Sequence, residues 1–263
     1  MWRIYKVLFK TNWSLVLEYR AEITIWMLYS FQPLVAMAVW LSLGRGGPVG
    51  GYRPSDFVSY YLANILIRQF TGAWIIWDLD REIRMGEFSY KLLKPLSPIH
   101  HYLVGNLAAK PLRVGIVLPP ILLAAFLTPG VRYASDPTTL VIFVATVFGA
   151  WLITFLFQYN IGLLSFWITQ TLALNDLLLF GLWSLLSGYL IPLDLFPEAV
   201  VRLSYYLPFR YMLSLPLETI LGRLTLKDML YGMTLQWVWI ALFWALYRLL
   251  WWRGLKYYSA VGA

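Results

Sequence analysis

The sequence contains no cysteine, and charged residues make up only 13% of its 263 residues. Without cysteine the chain can form no disulfide, no thiolate nucleophile and no cysteine-based metal site. The charged share is about half of that in ordinary soluble domains, whereas hydrophobic residues reach 60%. A soluble fold of this size cannot cover so much apolar surface, and disordered chains need the opposite composition. The composition therefore excludes a soluble enzyme and a disordered chain, and favours a helical protein embedded in lipid.

Six apolar stretches approach the length that crosses a bilayer, which is about 20 helical residues. We therefore expect an all-α membrane bundle that forms one domain over residues 1–263, with six transmembrane helices. The third stretch is short and contains Pro111, Pro119 and Pro120. The expected spans cover about residues 22–43, 57–77, 112–127, 140–166, 172–190 and 231–252.

The Lys and Arg residues in the connections orient this bundle. With the N-terminus in the cytoplasm, thirteen of them fall on the cytoplasmic side and seven on the other. This bias predicts a multi-pass protein of the cell inner (plasma) membrane with both termini cytoplasmic, which agrees with an even number of spans. The net charge of +8 therefore reflects membrane topology, and we expect no nucleic-acid partner.

The first 21 residues do not resemble a cleavable signal peptide, because charges interrupt every apolar run. Arg3, Lys6 and Lys10 fall on one helical face, and Ile4 and Val7 fall on another. This pattern predicts a helix lying in the membrane interface. A cytosolic extension of the first span is the alternative.

The connection over residues 78–98 is unusually rich in charge for this protein. Gly86 can interrupt a helix, and Pro95 disfavours helix at Lys94, which predicts a short element over about 87–93. Ser97 followed by Pro98 is typical of a new helix start. The short element carries apolar and charged residues together, so it is either a docking surface for a cytosolic partner or an interfacial loop.

Residues 187–216 contain four prolines, yet they are too apolar and aromatic for a solvated loop. The prolines at 192, 197, 208 and 216 forbid one continuous helix. Short helices that enter and leave from the outer side would satisfy both constraints, because irregular backbone at membrane depth must be buried in protein or line a cavity. We predict a re-entrant hairpin, with an interfacial loop as the alternative.

Several polar residues fall inside the expected spans, where they are costly. They line a substrate path or a subunit interface, or they hydrogen-bond between helices. The polar set consists of Arg68, Gln69, Gln158, Asn160 and Asn175. His100 and His101 are adjacent and lack the spacing of metal ligands. We expect no metal site and no catalytic site in this chain.

The order of these features resembles the ABC-2 permease family, the membrane subunits of type-2 ABC transporters. The most specific likeness is the run Arg84-Met-Gly-Glu-Phe-Ser-Tyr-Lys-Leu-Leu-Lys-Pro-Leu-Ser-Pro98, which is similar to the local pattern of an uncharacterised, exporter-like branch. The family includes exporters of polysaccharides, lipo-oligosaccharides and drugs. The short third span and Arg68 have no place in the family pattern.

The resemblance implies roles for two groups of residues. A helix that couples the permease to an ATPase would contain Glu87, Phe88, Lys91, Leu92, Leu93, Lys94 and Pro95. A re-entrant gate at the outer end of the path would contain Pro192, Phe196, Pro197, Tyr205, Pro208 and Phe209.

The resemblance also implies the partners. Two permease chains and two cytosolic ABC ATPase subunits would form the transporter, and the second permease is expected to be a different chain. ATP and Mg²⁺ would bind the ATPase subunits, so this chain is expected to bind no cofactor and to catalyse no reaction. The expected activity is ATP-driven export of an amphipathic or lipid-linked substrate by alternating access. A secondary transporter and a non-catalytic membrane scaffold subunit are the alternatives.

Overall fold

The computed structural model describes residues 2–258, which form thirteen α-helices and no β-strand. Met1 of the predicted interfacial helix and residues 259–263 of the predicted domain lie outside the described residues. A π-helical segment, Leu177–Trp183, joins α9 to α10. The helices are α1 (Trp2–Glu18), α2 (Arg20–Met27), α3 (Pro33–Leu43), α4 (Pro54–Thr71), α5 (Ile76–Arg84), α6 (Phe88–Leu92), α7 (Pro98–Leu127), α8 (Pro137–Leu163), α9 (Thr171–Asp176), α10 (Ser184–Leu186), α11 (Glu198–Ser204), α12 (Pro208–Ile220) and α13 (Leu226–Tyr257).

Four helical stretches of the described chain are long and apolar enough to cross a membrane. They are Arg20–Gly46, Pro98–Leu127, Pro137–Phe166 and Leu226–Tyr257, and they coincide with the first, third, fourth and sixth expected spans. The all-α membrane bundle is therefore confirmed. The second and fifth expected spans fall on the less apolar α4 and on a shorter apolar stretch that begins with α9, so a total of six stays a prediction.

Helix α7 differs from its expected form. The sequence predicts a short third span from about residue 112, whereas the structure has one helix of 30 residues that begins at Pro98 and continues through Pro111, Pro119 and Pro120. Proline removes a backbone hydrogen bond, but membrane helices tolerate it because neighbouring helices and local adjustments satisfy the freed groups. The third span is therefore long, and its start at residue 112 was wrong.

The core lies around α4, α8 and α12, which are the most buried helices. Most residues of α4 and twelve of the thirteen residues of α12 are buried. Polar residues make up a larger share of these two helices than of the helices long enough to cross a membrane. Burial inside the bundle removes their side chains from hydrocarbon. The more exposed α7 and α13 surround them.

A single amide joins three helices in this core. The side chain of Gln236, on α13, donates to the carbonyl of Thr146 at 3.0 Å and to that of Tyr211 at 2.9 Å. Gly149 faces this amide so closely that a Cβ atom there would overlap it. Small residues and interhelical hydrogen bonds are typical of packing in membranes, and here they fix α13 against α8 and α12.

The connections gather at two opposite ends of the bundle. At one end the Arg84 guanidinium donates to the carbonyls of Ile168 and Thr169. At the other end the amide of Ala134 donates to the carbonyl of Ile220 at 2.8 Å. The first end contains the connections that the charge bias assigns to the cytoplasm, and we call it the basic end.

Helix α1 lies along α7 at the basic end. The Tyr5 hydroxyl and Nδ1 of His100 are 3.0 Å apart, and the faces of the two rings are nearly perpendicular. The predicted N-terminal helix is therefore present over Trp2–Glu18, and its location in the membrane interface stays a prediction.

Candidate functional site

The segment that contains α5 and α6 packs against the basic end and turns sharply between the two helices. Helix α5 ends at Arg84, and Gly86 adopts a φ of 75°, a conformation that costs glycine little. Helix α6 then spans Phe88–Leu92. The short helix that the sequence predicts between Gly86 and Pro95 is therefore confirmed as an element.

An aromatic anchor holds α6 on the bundle. The Phe88 ring is fully buried, and its centroid lies 5.9 Å from that of Phe166, 6.0 Å from Trp251 and 5.8 Å from Tyr258. The Tyr258 hydroxyl donates to the Gly86 carbonyl at 3.0 Å. Edge-to-face pairs of this kind contribute about 0.5–1.5 kcal/mol each beyond burial, so α6 is fixed to α8 and α13.

Ion pairs fix α5 and α6 to the same end. The Lys91 ammonium lies 2.6 Å from the Glu82 carboxylate, which also accepts from the Tyr102 hydroxyl at 2.5 Å. Arg84 Nε contacts both carboxylate oxygens of Asp80 at 2.9 Å. These pairs are mostly shielded from solvent. The contacts of Glu82 join α5 to α6 and to Tyr102 of α7.

The predicted coupling residues divide into anchors and surface. Phe88 is buried, and Lys91 and Leu92 are half-buried. The exposed fraction reaches 84% for Leu93 and 72% for Tyr90. Glu87, Lys94 and Pro95 are also exposed. The outward surface therefore combines apolar and charged groups on a fixed base, which is a form suited to contact with another protein.

The structure places the predicted intramembrane polar residues in different surroundings. Only Arg68 and Gln158 line the same cavity, whose volume is about 310 Å³. Gln69 donates to the Ile65 carbonyl within its own helix, and Asn160 donates to the Phe243 carbonyl of α13 at 2.9 Å. Asn175 is fully buried elsewhere. Gln69 therefore forms a hydrogen bond within its own helix, and Asn160 forms one between helices.

Aromatic rings surround Arg68 in this cavity. Its guanidinium carbon lies 4.3 Å from the centroid of Tyr189, 5.2 Å from that of Trp183 and 6.0 Å from that of Trp74. None of the ion pairs among residues 2–258 includes Arg68. The three rings come from irregular backbone segments. The sequence did not indicate that residues 74, 183 and 189 would lie near Arg68.

The hairpin of α11 and α12 contains the predicted gate residues and returns to its starting point. Asp194, before α11, accepts from the Tyr52 hydroxyl at 2.8 Å and from Arg223, after α12, at 3.1 Å. Burial and the Asp194 carboxylate raise the pKa of Tyr52 above its usual range, so its hydroxyl remains a donor. The two ends of the hairpin therefore meet at the end of the bundle opposite α6.

The gate residues are placed differently along this hairpin. Pro192, Pro208 and Phe209 are buried, and Phe209 packs its ring against Phe157 of α8 at a centroid distance of 5.9 Å. Phe196 is half-buried, whereas Pro197 and Tyr205 are exposed.

A buried ion pair in α12 was missed by sequence reasoning, which treated Arg210 as part of an outer connection. Arg210 Nη2 lies 2.5 Å from Glu218 Oε2, and each side chain is 5% exposed. Ser214 donates to the other carboxylate oxygen at 2.5 Å. The spacing of 210, 214 and 218 was the available signal, because steps of four place residues on one helical face.

The described part of the chain contains no group of three or more His, Asp or Glu residues arranged to hold a metal ion. The sites described so far are an exposed surface at one end of the bundle, a polar cavity in its interior, and the segment of α11 and α12 at the opposite end.

Comparison with known protein families gives a match. The family described as ABC-2 family transporter protein matches residues 27–262. Neither proteins of curated function nor solved structures yield a match. The family match covers nearly the whole chain, and the helices of the described residues have the length and composition of membrane spans. The chain is therefore a membrane protein that belongs to the ABC-2 transporter family.

Proposed function

We propose that this chain is the permease subunit of an ATP-driven exporter for an amphipathic or lipid-linked substrate. ATP and Mg²⁺ bind separate cytosolic ABC ATPase subunits, and this chain catalyses no reaction. The observation that carries the proposal, beside family membership, is the exposed surface of α6 on its rigid base. An ATPase that binds there would move the bundle, because α6 cannot shift without α5, α8 and α13.

The coupling contact has a direct route to the interior. The ion pair of Lys91 with Glu82 connects α6 to α5, and α5 follows α4 after the non-helical residues 72–75. Gly72, Ala73 and Trp74 of this stretch line the Arg68 cavity. Closure of two ATPase subunits would tilt the bundle as a rigid body and change the shape of the cavity at the break between α4 and α5.

Six spans and a re-entrant hairpin belong to this proposal. Helix α4 with α5 and the stretch from α9 to α10 each connect the two ends of the bundle, which supports adding them to the four long apolar spans. The contact of Arg223 with Asp194 supports a hairpin that enters and leaves on one side. We place the basic end, with both termini, in the cytoplasm of a cell bounded by an inner (plasma) membrane.

The transporter contains two permease chains and two ATPase subunits, with a second, different permease favoured. Affinity purification of the full chain from native membranes tests this composition. We expect a subunit with ATPase motifs and a second permease to co-purify, with vanadate-sensitive ATPase activity. A lone chain without such activity would favour the secondary transporter or the scaffold subunit.

A substitution at the exposed surface tests the coupling role. Leu93→Asp should separate the ATPase from the permease or abolish transport-linked ATP hydrolysis, because a carboxylate would replace an exposed apolar contact. The bundle should stay folded, since Leu93 is 84% exposed.

Leu226→Asp is the matched control, because Leu226 is an exposed residue at the start of α13 and lies away from α6. Acidic residues are tolerated in the first turn of a helix. We expect this variant to retain the ATPase. Equal ATPase association and activity in Leu93→Asp and the unmodified chain would refute the coupling role of α6.

A further inference from the structure

Four irregular backbone segments meet around the Arg68 cavity. They are the 3₁₀ turn Leu28–Phe31 with Gln32, the non-helical residues 72–75, the π-helical segment Leu177–Trp183 and the turn over 187–190. Irregular backbone at membrane depth is stable only where it is buried in protein or lines a cavity. π-Helical turns also occur frequently at functional sites. The convergence of four such segments singles out this cavity within the described residues.

The turn after α10 is built to fit against α4. Gly188 adopts a φ of 79°, and its carbonyl accepts from the Tyr60 hydroxyl at 2.5 Å. The amide of Asn64 donates to the Tyr189 carbonyl at 3.1 Å. These bonds hold Tyr189 where its ring faces the guanidinium of Arg68, so the wall of the cavity is formed before any ligand binds.

The cavity offers hydrogen-bond donors and positive charge, with no carboxylate in its lining. Nη1 of Arg68 and Nε1 of Trp183 are buried and have no hydrogen-bond acceptor among residues 2–258. Buried donors normally have a partner. Here two neighbouring side chains each have a donor without an acceptor, and one of the two side chains is charged. This arrangement indicates a missing group that accepts hydrogen bonds and carries negative charge.

The remainder of the lining is apolar and reaches the surface. Leu179, Leu190 and Ala73 contribute aliphatic surface, and Tyr29, Trp74 and Phe180 are exposed at the opening. A volume of about 310 Å³ is at the small end of ligand sites, which range from about 300 to 1,000 Å³. A volume of this size has room for a headgroup, with attached chains leaving through the aromatic opening.

We propose that this cavity binds the oxyanion headgroup of an amphiphile, with Arg68 and Trp183 as the donors to the phosphate or carboxylate oxygens. The guanidinium is suited to such groups because its N–H donors match two oxygens at once. The site rests on the proposed function, since it gives the exported amphiphile a negatively charged headgroup.

Binding of short-chain lipids to the purified full chain tests the site. Dihexanoyl phosphatidic acid carries the oxyanion, dihexanoyl phosphatidylcholine hides it behind a cationic choline, and inorganic phosphate lacks the chains. Native mass spectrometry gives the dissociation constant for each probe. We expect phosphatidic acid to bind about tenfold more tightly than phosphatidylcholine, because charge-assisted hydrogen bonds are the stronger class. Equal binding of inorganic phosphate and phosphatidic acid would overturn the assignment to an amphiphile.

Substitutions assign the preference to the two donors. Arg68→Gln should abolish the preference for phosphatidic acid, and Arg68→Lys should retain part of it. Arg45→Gln is the matched control, because Arg45 is exposed in a turn outside the cavity and its loss changes the net charge equally. A preference that is unchanged in Arg68→Gln would overturn the proposal.

A second variant keeps the test decisive if Arg68→Gln does not fold. Trp183→Phe retains an aromatic ring but removes the N–H donor together with the pyrrole part of the indole. The lost volume should weaken both lipids equally, whereas the lost donor should weaken phosphatidic acid more than phosphatidylcholine. Equal weakening of both lipids would contradict a hydrogen bond to the oxyanion. These measurements need no ATPase. A chain that binds phosphatidic acid but never associates with an ATPase would refute the proposed function and leave this site standing.

Discussion

Removal of the Glu218 carboxylate should destabilise the protein more than most single substitutions. Glu218 is held by Arg210 and Ser214, each at 2.5 Å, within a helix that is buried on nearly all sides. Arg210 also stacks on the Tyr205 ring, with its guanidinium carbon 4.2 Å from the centroid. Substitution of Glu218 would therefore leave a positive charge in the core with only an aromatic face and a hydroxyl as partners.

The expected magnitude follows from the burial of both side chains. Breaking a buried pair by removing one partner costs about 3–5 kcal/mol, because the other charge is left uncompensated. For chains of this size a loss of 1 kcal/mol lowers the unfolding temperature by about 2–4 °C. Glu218→Ala should therefore lower the midpoint of thermal unfolding by about 10 °C.

The assay is thermal unfolding of the detergent-purified chain, monitored by the loss of the monodisperse peak in size-exclusion chromatography. Glu198→Ala is the matched control, because the pair of Glu198 with Arg202 is 82% and 72% exposed and pairs of that kind contribute about 0–1 kcal/mol. The double variant Arg210→Met, Glu218→Met should recover most of the loss, since it buries no charge. Equal midpoints for Glu218→Ala and Glu198→Ala, or no recovery in the double variant, would refute the reasoning.

Three further substitutions test other parts of the fold. Phe88→Ala should lower stability by about 3–5 kcal/mol, as expected for a buried aromatic ring, and should speed proteolysis within α6; an unchanged cleavage rate would contradict the anchor. Gly149→Val should lower the free energy of unfolding by about 1–3 kcal/mol, because the valine side chain would displace the Gln236 amide. A midpoint of thermal unfolding equal to that of the unmodified chain would show that this contact is loose. Asp136 accepts from the Thr139 amide, which holds the pKa of that carboxyl below its usual range. Its stabilising effect is therefore present above the unfolded pKa of about 3.9 and is lost as pH falls through the lower folded value. The stability difference from Asp136→Ala, measured by chemical unfolding from pH 7 downwards, should stay constant to about pH 4 and then shrink.

The positions of the apolar helices follow from the sequence because they depend on local composition. Long apolar runs must form helices in lipid, so residues 22–43, 140–166 and 231–252 were placed close to their observed helices. The turn at Gly86 and the short α6 follow from glycine and proline, whose conformational limits are local too. The ABC-2 family was also recognised from a local run, residues 84–98.

The tertiary structure decided which polar residues share a site. Arg68 and Gln158 are 90 positions apart and line one cavity, whereas the amide groups of Gln69 and Asn160 donate hydrogen bonds elsewhere. Proximity in sequence could not separate these cases, because Gln69 bonds within α4, whereas the partner of Asn160 and the other walls of the cavity lie on other elements. The pair of Arg210 with Glu218 has a local signal, but its burial depends on α4, α8 and α13 surrounding α12.

The sequence by itself therefore determined the membrane class, the helices and the family, since hydrophobicity and backbone limits act over short distances. Only the tertiary structure decided that α7 continues through three prolines, that Phe88 faces inward while Leu93 faces outward, and that aromatic rings surround Arg68. These outcomes depend on how helices pack, and packing is a sum of contacts between residues that the chain order keeps far apart.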